Sequence, residues 1–402
     1  MPASDTAVLI HSPIGVLAVL CAVAAAFFLL AETTRWKLFN YVPPLLFIYL
    51  TPVILNNTNV IPSSSPVYGG LSTYLLPAFI VFMLIKVDVP AIVRVMGKGV
   101  LVMLMGTAGV IVGAAVAYAI VHPWLAPDAW KGYGALAGSW IGGTANMAAT
   151  AEILGTPEEQ FGYAVIADNA VYLVWLPILL ASRDFADRFN RWARVPSDRV
   201  AAMEEAAELL VEDDKAPTMP QYLFLFAVVV GVTWIGAAAA PGIAEWFASR
   251  SDALATLLSE TTVRILLVTT IALCLSVTPV SRLPNSTAIG TALVYVFVAG
   301  MGARASVTDL DQAPMFILGA FIWIGIHGVF CLAGAWLFRV DVHSVAIASA
   351  ANIGAAASAP IVAAHHKPSL VPASILMALL GYALGNYLAP LAGHLARIAA
   401  GQ

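Results

Sequence analysis

The chain has 402 residues, of which 60% are hydrophobic and only 10% are charged. Because about a quarter of the residues of a soluble domain are charged, this composition excludes a water-soluble globular protein and indicates one that lies mainly in lipid. The formal net charge of −4 comes without a block of basic residues, so nucleic-acid binding has no support.

Apolar runs can cross a hydrocarbon core when they hold about 17 to 25 residues. The pattern predicts an all-α polytopic membrane protein with twelve spans, and ten to thirteen fit the hydropathy. In chain order they lie at 8–31, 41–55, 67–85, 100–121, 132–154, 161–181, 222–247, 263–277, 286–301, 315–338, 342–364 and 369–395. The runs at 41–55 and 263–277 are short, but we expect them to cross as well.

A charged hydrophilic linker at 183–220 separates an N-terminal membrane repeat, 1–182, from a C-terminal membrane repeat, 221–402. Most of its charges lie between Arg183 and Lys215, with six basic and nine acidic residues. The stretch at 202–211 has helical composition and is expected to form a surface helix. Each repeat is predicted to contain five to six helices.

One short motif occurs in both halves and interrupts a long apolar run each time. The stretch from Ser139 to Met147 reads SWIGGTANM, and its weaker copy from Ala351 to Pro360 reads ANIGAAASAP. Gly142, Gly143 and Gly354 favour unwinding, and Pro360 is a further helix breaker. Paired interruptions at corresponding positions are typical of the binding site of a secondary transporter.

The relative orientation of the two halves stays open. The predicted spans place an even number of crossings between equivalent elements, so either the repeats are parallel or a span is miscounted. Lys86, Arg94 and Lys98 favour a cytoplasmic position for the segment after residue 85, and the Arg-rich linker favours the same side. Three crossings between Lys98 and Arg183 cannot satisfy both preferences.

Polar side chains at the interruptions are candidates for ion and substrate binding. Unwound backbone at membrane depth is tolerated only where it is buried or lines a cavity, and there its carbonyls can act with Thr144 and Asn146 as hard oxygen ligands. The second copy supplies Asn352 and Ser358. The alternative is that these small residues only permit close helix packing, which is common in membrane bundles.

Asp168 lies in the middle of an apolar run, where an ionisable residue is costly and is a functional candidate by default. Asn169 adds an amide beside it, and Asn386 holds roughly the same place in the second half. His327, also deep in a span, is a possible charge partner of Asp168 or a packing residue. Glu152, at the end of the first interrupted helix, is expected near the membrane interface.

An interrupted helix followed by an unbroken helix that carries Asp168-Asn169 resembles the cation/proton antiporter and anion transporter superfamily. Nearly the whole chain resembles the bacterial membrane family called domain of unknown function 819 (DUF819). The resemblance implies a core domain with two crossed, broken helices, a scaffold domain that often dimerises, and an elevator-like movement. The acidic pair of those antiporters is Asp-Asp or Asn-Asp, whereas here the order is reversed and the charge single.

These observations predict a secondary active transporter in the bacterial inner membrane that moves a small polar or anionic solute, coupled to Na⁺ or H⁺. The alternative is a monovalent cation/proton antiporter. An intramembrane enzyme is a distant third, because the sequence holds neither a Gly-x-Ser-x-Gly nor a His-Glu-x-x-His motif. No cofactor or resident metal is expected beyond the coupling ion. The expected partners are the solute, membrane lipids and a second copy in a homodimer.

Overall fold

The computed structural model describes residues 8–34, 36, 38–41, 43–196, 217–305 and 312–402. The predicted surface helix at 202–211 lies outside the described residues. Within them every regular element is a helix, and eight helices are long and apolar enough to cross a membrane. The predictions of an all-α fold and of a multi-pass membrane protein are therefore confirmed.

The N-terminal half contributes eight helices. In chain order they are α1 (Pro13–Thr34), α2 (Pro44–Asn57), α3 (Pro66–Leu84), α4 (Val89–Met96), α5 (Lys98–Val121), α6 (Ala129–Gly142), α7 (Thr144–Leu154) and α8 (Glu158–Ala181). Caps fix two of the starts: the side chain of Ser65 accepts from Val67 N before α3, and that of Asp88 from Ala91 N before α4. A short helix, Leu38–Tyr41, lies between α1 and α2, and another, Ala186–Trp192, follows α8.

The C-terminal half shows a similar order of helix lengths, without a counterpart of α4 among the described residues. It holds α9 (Met219–Ala248), α10 (Glu260–Ser276), α11 (Ser286–Arg304), α12 (Ala313–Phe338), α13 (Val342–Ile353), α14 (Ala355–His366) and α15 (Val371–Ala399). A short helix, Asp252–Leu257, precedes α10. The order of lengths matches the first half if α9 corresponds to α1, α13 with α14 to α6 with α7, and α15 to α8.

The first interrupted helix folds back on itself instead of continuing across the protein. Thr156 Oγ1 donates to the Lys131 carbonyl at 3.3 Å, although 25 positions separate the two residues. A continuous helix would hold them about 37 Å apart. Nearer the bend, a Cβ atom on Gly138 would lie 2.6 Å from the Asn146 carbonyl oxygen. Helices α6 and α7 thus form hairpin 1 (129–154), and the prediction of a single crossing segment at 132–154 is wrong.

The second interrupted helix is also a hairpin. His343 Nδ1 lies 3.0 Å from His366 Nδ1, 23 positions further along the chain. Closer to the bend, Ser358 Oγ donates to the Ala350 carbonyl at 2.8 Å. Helices α13 and α14 therefore form hairpin 2 (342–366), and the predicted single span at 342–364 is wrong too. In both cases the apolar length fits a crossing helix, but a reversal at the bend brings the two ends together.

The helices pack in two groups. The hairpin group consists of α5, α8, α12, α15 and both hairpins, and the flanking group consists of α1–α3 and α9–α11. Glycines allow the central pair of the hairpin group, α5 and α12, to approach closely: a Cβ on Gly113 would overlap the Trp323 ring, and one on Gly109 the Phe330 side chain. This packing places both hairpins inside a rigid set of helices.

Candidate functional site

The tips of the two hairpins touch. Gly143, between α6 and α7, has φ +79° and ψ −174°, a conformation open essentially only to glycine. Its counterpart Ala355 also has positive φ, +47°. A Cβ on Gly143 would come within 2.8 Å of the Ala355 Cβ. The chain therefore reverses twice at one place, where four half-length helices end or begin.

The predicted helix-break residues take different positions at these tips. Gly142 is the last residue of α6 and Gly143 forms the bend, while Gly354 follows α13. The left-handed backbone of hairpin 2 falls on Ala355 instead of Gly354, whose φ is −133°. Pro360 lies inside α14, so the prediction that it breaks the helix is wrong.

Asp168 lies on α8 and faces hairpin 1. Its Oδ2 accepts from Ser139 Oγ at 2.9 Å, and its Oδ1 accepts from Trp140 Nε1 at 2.8 Å. Both donors sit in the last turn of α6. Among the described residues no lysine, arginine or histidine lies within ion-pair distance of Asp168. The carboxylate is thus held by two neutral donors in a partly buried position, and its remaining lone pairs are available to a ligand.

Tyr172 connects the face of Asp168 to hairpin 2. It lies four residues further along α8, so both side chains project from the same side of the helix. A Cβ on Gly354 would be 3.3 Å from the Tyr172 ring. The carboxylate is therefore flanked by hairpin 1 on one side and, through Tyr172, by the tip of hairpin 2 on the other.

Asn146 and Asn386 form a second polar cluster on the other side of the tips. Asn146 Nδ2 donates to Asn386 Oδ1 at 2.9 Å and to the Tyr382 carbonyl at 3.0 Å. Asn386 Nδ2 in turn donates to Thr269 Oγ1 on α10 at 2.9 Å. A cavity of about 10 Å³, lined by Asn146, Asn386 and Tyr382, adjoins the cluster. It has room for about one water-sized particle.

Tyr382 lies between the two tips. Its ring would be 3.3 Å from a Cβ on Gly143, and its hydroxyl is hydrogen-bonded to the backbone of Ala356, in the first turn of α14. A single side chain of α15 therefore contacts both hairpins, and any relative movement of the tips changes its surroundings.

His327 and Asn352 belong to a third cluster, at the base of the tips. His327 is fully buried, and its ring nitrogens lie 2.9 Å from the Gly106 carbonyl and 2.9 Å from Ser349 Oγ. The side-chain amide of Asn352 is oriented so that its oxygen accepts from Thr107 Oγ1 at 3.0 Å and its nitrogen donates to the Met103 carbonyl. The structure does not bring His327 to Asp168, because neither ring nitrogen is directed at that carboxylate.

The remaining predicted ligands differ in how accessible they are. Thr144 starts α7 and is partly exposed at the tip of hairpin 1. Ser358 is buried and uses its hydroxyl to tie the two halves of hairpin 2 together. Asn169 is buried and donates to the Val165 carbonyl of its own helix at 2.7 Å. Glu152 lies away from the tips, 3.4 Å from Arg304, and accepts from Ser72 Oγ at 2.8 Å.

Several polar partners were not recognised in the sequence. They are Thr107, Ser139, Trp140, Thr269, Ser349 and Tyr382, which bond to the predicted residues. Ser139 and Trp140 precede the bend at Gly143 by one turn, a spacing that could have identified them. Thr107 and Thr269 lie in otherwise ordinary apolar helices and carry no such signal.

Two large cavities approach the tips from opposite ends of the protein. The first, of about 370 Å³, lies beside the open ends of hairpin 1 and reaches Asn386. The second, of about 820 Å³, lies between the α3–α4 connection, the α10–α11 connection and α15, and reaches Ala356 at the tip of hairpin 2. We call them the outer and the inner vestibule.

Comparison with known proteins places this architecture in a defined family. Residues 18–398 match the family described as "Protein of unknown function (DUF819)". The chain is also similar to the "Uncharacterized membrane protein YjcL" of Bacillus subtilis (strain 168), with 26% identity over 347 residues that cover 85% of this chain and 87% of the relative. The residues that match the family include both hairpins and the three polar clusters.

Proposed function

This chain belongs to the DUF819 family of membrane proteins, and we propose that it is a secondary active transporter that moves a small polar or anionic solute by an elevator-like movement, coupled to Na⁺ or H⁺. The observation that carries the proposal is the contact between the tips of two hairpins, at Gly143 and Ala355, beside the carboxylate of Asp168. Non-helical backbone at membrane depth is costly unless it lines a binding site.

The proposed membrane orientation makes the two halves inverted repeats. Because neither hairpin crosses, ten helices remain to do so: the eight long apolar helices α1, α3, α5, α8, α9, α11, α12 and α15, and the two shorter ones, α2 and α10. Five of them, α1, α2, α3, α5 and α8, cross before α9, and an odd number inverts the second repeat relative to the first. In this orientation the hairpins enter from opposite sides and their tips, which are in contact, meet in the middle.

The basic residues fit this orientation. Among the described residues ten lie on the side of the linker, namely Lys86, Arg94, Lys98, Arg183, Arg188, Arg191, Arg194, Arg282, Arg339 and Lys367, and five on the other, namely Lys131, Arg250, Arg264, Arg304 and Arg397. The positive-inside rule makes the linker side cytoplasmic. Only α5 and α8 cross between Lys98 and Arg183, so the segment after residue 85 and the linker share that side. We place the protein in the bacterial inner membrane.

The chemistry of the tips suits a coupling cation and a solute. Helices α6 and α13 end at the tips and present free carbonyls, while α7 and α14 begin there and present free N–H groups. Asp168 adds a carboxylate whose two hydrogen-bond donors, Ser139 and Trp140, are both neutral. A Na⁺ or a proton that neutralises Asp168 would alter its bonds to Ser139 and Trp140, and so bias the position of hairpin 1.

Movement of the hairpin group against the flanking group would then carry the site between the two vestibules. On the outer side the groups are joined by Arg304 of α11, which lies 3.4 Å from both Glu152 of hairpin 1 and Glu158 of α8. Tyr49 of α2 adds a hydrogen bond to the Glu158 carbonyl at 3.0 Å. An elevator movement has to break these contacts, together with the hydrogen bonds of Glu152 to Ser72, Asn386 to Thr269 and Tyr387 to Thr270 that also join the two groups.

The test is coupled transport by the purified protein in proteoliposomes. We expect a Na⁺ or proton gradient to drive uptake of at least one solute from a labelled panel of carboxylates, amino acids and short peptides. Asp168→Asn should abolish coupling and keep the fold, because an amide oxygen still accepts one bond. Glu245→Gln, an equal change of charge at an exposed position of α9, is the matched control.

Two results would contradict the proposal. Wild-type coupling in Asp168→Asn would remove this carboxylate from the mechanism. Dissipation of a proton gradient by Na⁺ or K⁺ alone, without any solute, would assign cation/proton antiport instead.

A further inference from the structure

We infer that the transported solute is a small organic anion, drawn in by basic side chains that line both vestibules; this inference rests on the proposed transport function. The basic residues that line the outer vestibule are Lys131, His394 and Arg397, and no carboxylate is found among the described residues of this lining. The charged residues that line the inner vestibule are Lys86, Arg282 and Asp88. Four lysines and arginines therefore face one acidic residue.

The outer vestibule gathers its basic groups around one indole. Lys131 Nζ lies 5.8 Å and the Arg397 guanidinium 5.4 Å from the ring of Trp130, and the His394 ring lies 5.3 Å from it. Stacking on Trp130 holds the cationic groups in place without neutralising them. Lys131 also pairs with the largely exposed Asp128 at 3.1 Å, whereas Arg397 has no acidic partner within ion-pair distance among the described residues.

The single carboxylate of the inner vestibule already has a role. Asp88 caps the N-terminus of α4, where its Oδ1 accepts from Ala91 N at 2.9 Å. The positive end of the helix dipole compensates part of its charge. Arg282 is exposed in the α10–α11 connection that forms another part of the lining, and Lys86 is the second basic residue there. This vestibule thus also offers an anion more partners than a cation.

The charge pattern is informative because the described residues hold nearly equal numbers of both signs. Among them 15 lysines and arginines stand against 13 aspartates and glutamates, so a random lining would be close to balanced. Clefts with low-dielectric walls focus the field of their charges and raise the local concentration of ligands of opposite sign. A path for a cationic solute would be expected to show the reverse pattern.

The size and the apolar part of the lining narrow the class of anion. Ile153 and Leu266 in the outer vestibule and Ile375 and Leu379 in the inner one contribute apolar surface. The outer volume of about 370 Å³ is at the small end of ligand cavities. A carboxylate with a short carbon skeleton fits both features better than an inorganic ion or a peptide.

The experiment measures uptake into right-side-out and inside-out membrane vesicles, which expose the outer and the inner vestibule respectively. The probes are labelled mono-, di- and tricarboxylates, zwitterionic amino acids and choline. We expect uptake of at least one carboxylate. Arg397→Gln should raise its half-saturation concentration about three- to tenfold in right-side-out vesicles, and Arg282→Gln should do so in inside-out vesicles. Added salt should weaken the wild-type affinity and leave that of each variant less changed.

Arg250→Gln and Arg94→Gln are the matched controls, because they remove one positive charge on the outer and the inner side without lining a vestibule. Both should transport like the wild type. Coupled uptake of only choline or amino acids, or a carboxylate affinity unchanged in Arg397→Gln and Arg282→Gln, would overturn the anion inference and leave the transporter proposal intact. Absence of coupled uptake of every probe would overturn both.

Discussion

Replacing Gly143 with alanine is expected to loosen the tip of hairpin 1. Gly143 has φ +79° and ψ −174°, and a side chain in this region costs about 1–3 kcal/mol. The new Cβ would lie 2.8 Å from the Ala355 Cβ and 3.3 Å from the Tyr382 ring, so the tip cannot relieve the strain by moving towards hairpin 2. Since 1.4 kcal/mol is a factor of ten, the locally opened tip should become roughly 5 to 140 times more populated.

Hydrogen–deuterium exchange with mass spectrometry measures this population directly. Peptides that cover residues 139–150 should exchange faster in Gly143→Ala by the same factor. Gly155→Ala is the control: Gly155 also has positive φ, +57°, but a Cβ there would contact nothing within 4 Å. Its strain should affect only the end of hairpin 1. Unchanged exchange at 139–150 in Gly143→Ala would refute the assigned backbone and the contact between the tips.

Two further predictions test the hairpins and their attachment. In a chain without native cysteines, a short bifunctional maleimide should cross-link His343→Cys with His366→Cys, because the two rings lie 3.0 Å apart at their Nδ1 atoms. A continuous helix would hold the two positions about 34 Å apart, beyond the reach of the reagent. Arg304→Gln should lower stability in detergent by about 1–2 kcal/mol, since Glu152 loses a partly buried partner; a melting temperature equal to that of Arg250→Gln would rule out this role.

The sequence predicts where the interrupted helices bend, but it does not predict that they fold back. The motif around Gly142-Gly143 and its copy at Gly354 mark both bends within one residue. A segment such as 132–154, however, has the apolar length of a crossing helix. Whether its halves continue or reverse depends on partners far along the chain, such as α15, where a Cβ on Gly381 would overlap the Ile141 carbonyl. The local hydrophobic pattern of the sequence contains no information about such long-range contacts.

The same holds for the candidate site: the sequence predicts some of its residues but not their partners. The sequence singles out Asp168, Asn146 and Asn386, because a polar side chain in an apolar run is costly and is therefore a functional candidate. Their partners Trp140 and Thr269 do not stand out, since a tryptophan reads as apolar and a threonine commonly bonds to its own helix. His327 illustrates the converse: an ionisable residue at the right depth was linked with Asp168, yet the packing of α5 against α12 directs its ring to Gly106 and Ser349.

The two hairpins differ in a way that bears on which one moves more readily. Hairpin 1 bends at a glycine and packs tightly on α15, where Gly134 approaches Gly393. Hairpin 2 bends at Ala355, a residue with a Cβ at φ +47°, which costs about 1–2 kcal/mol that glycine would not incur. Its tip contacts hairpin 1 and Tyr172 on one side, while Ala356 borders the inner vestibule of about 820 Å³. Stored strain and adjacent space together lower the cost of displacing hairpin 2. The asymmetry therefore favours hairpin 2 as the element that opens the proposed site towards the linker side.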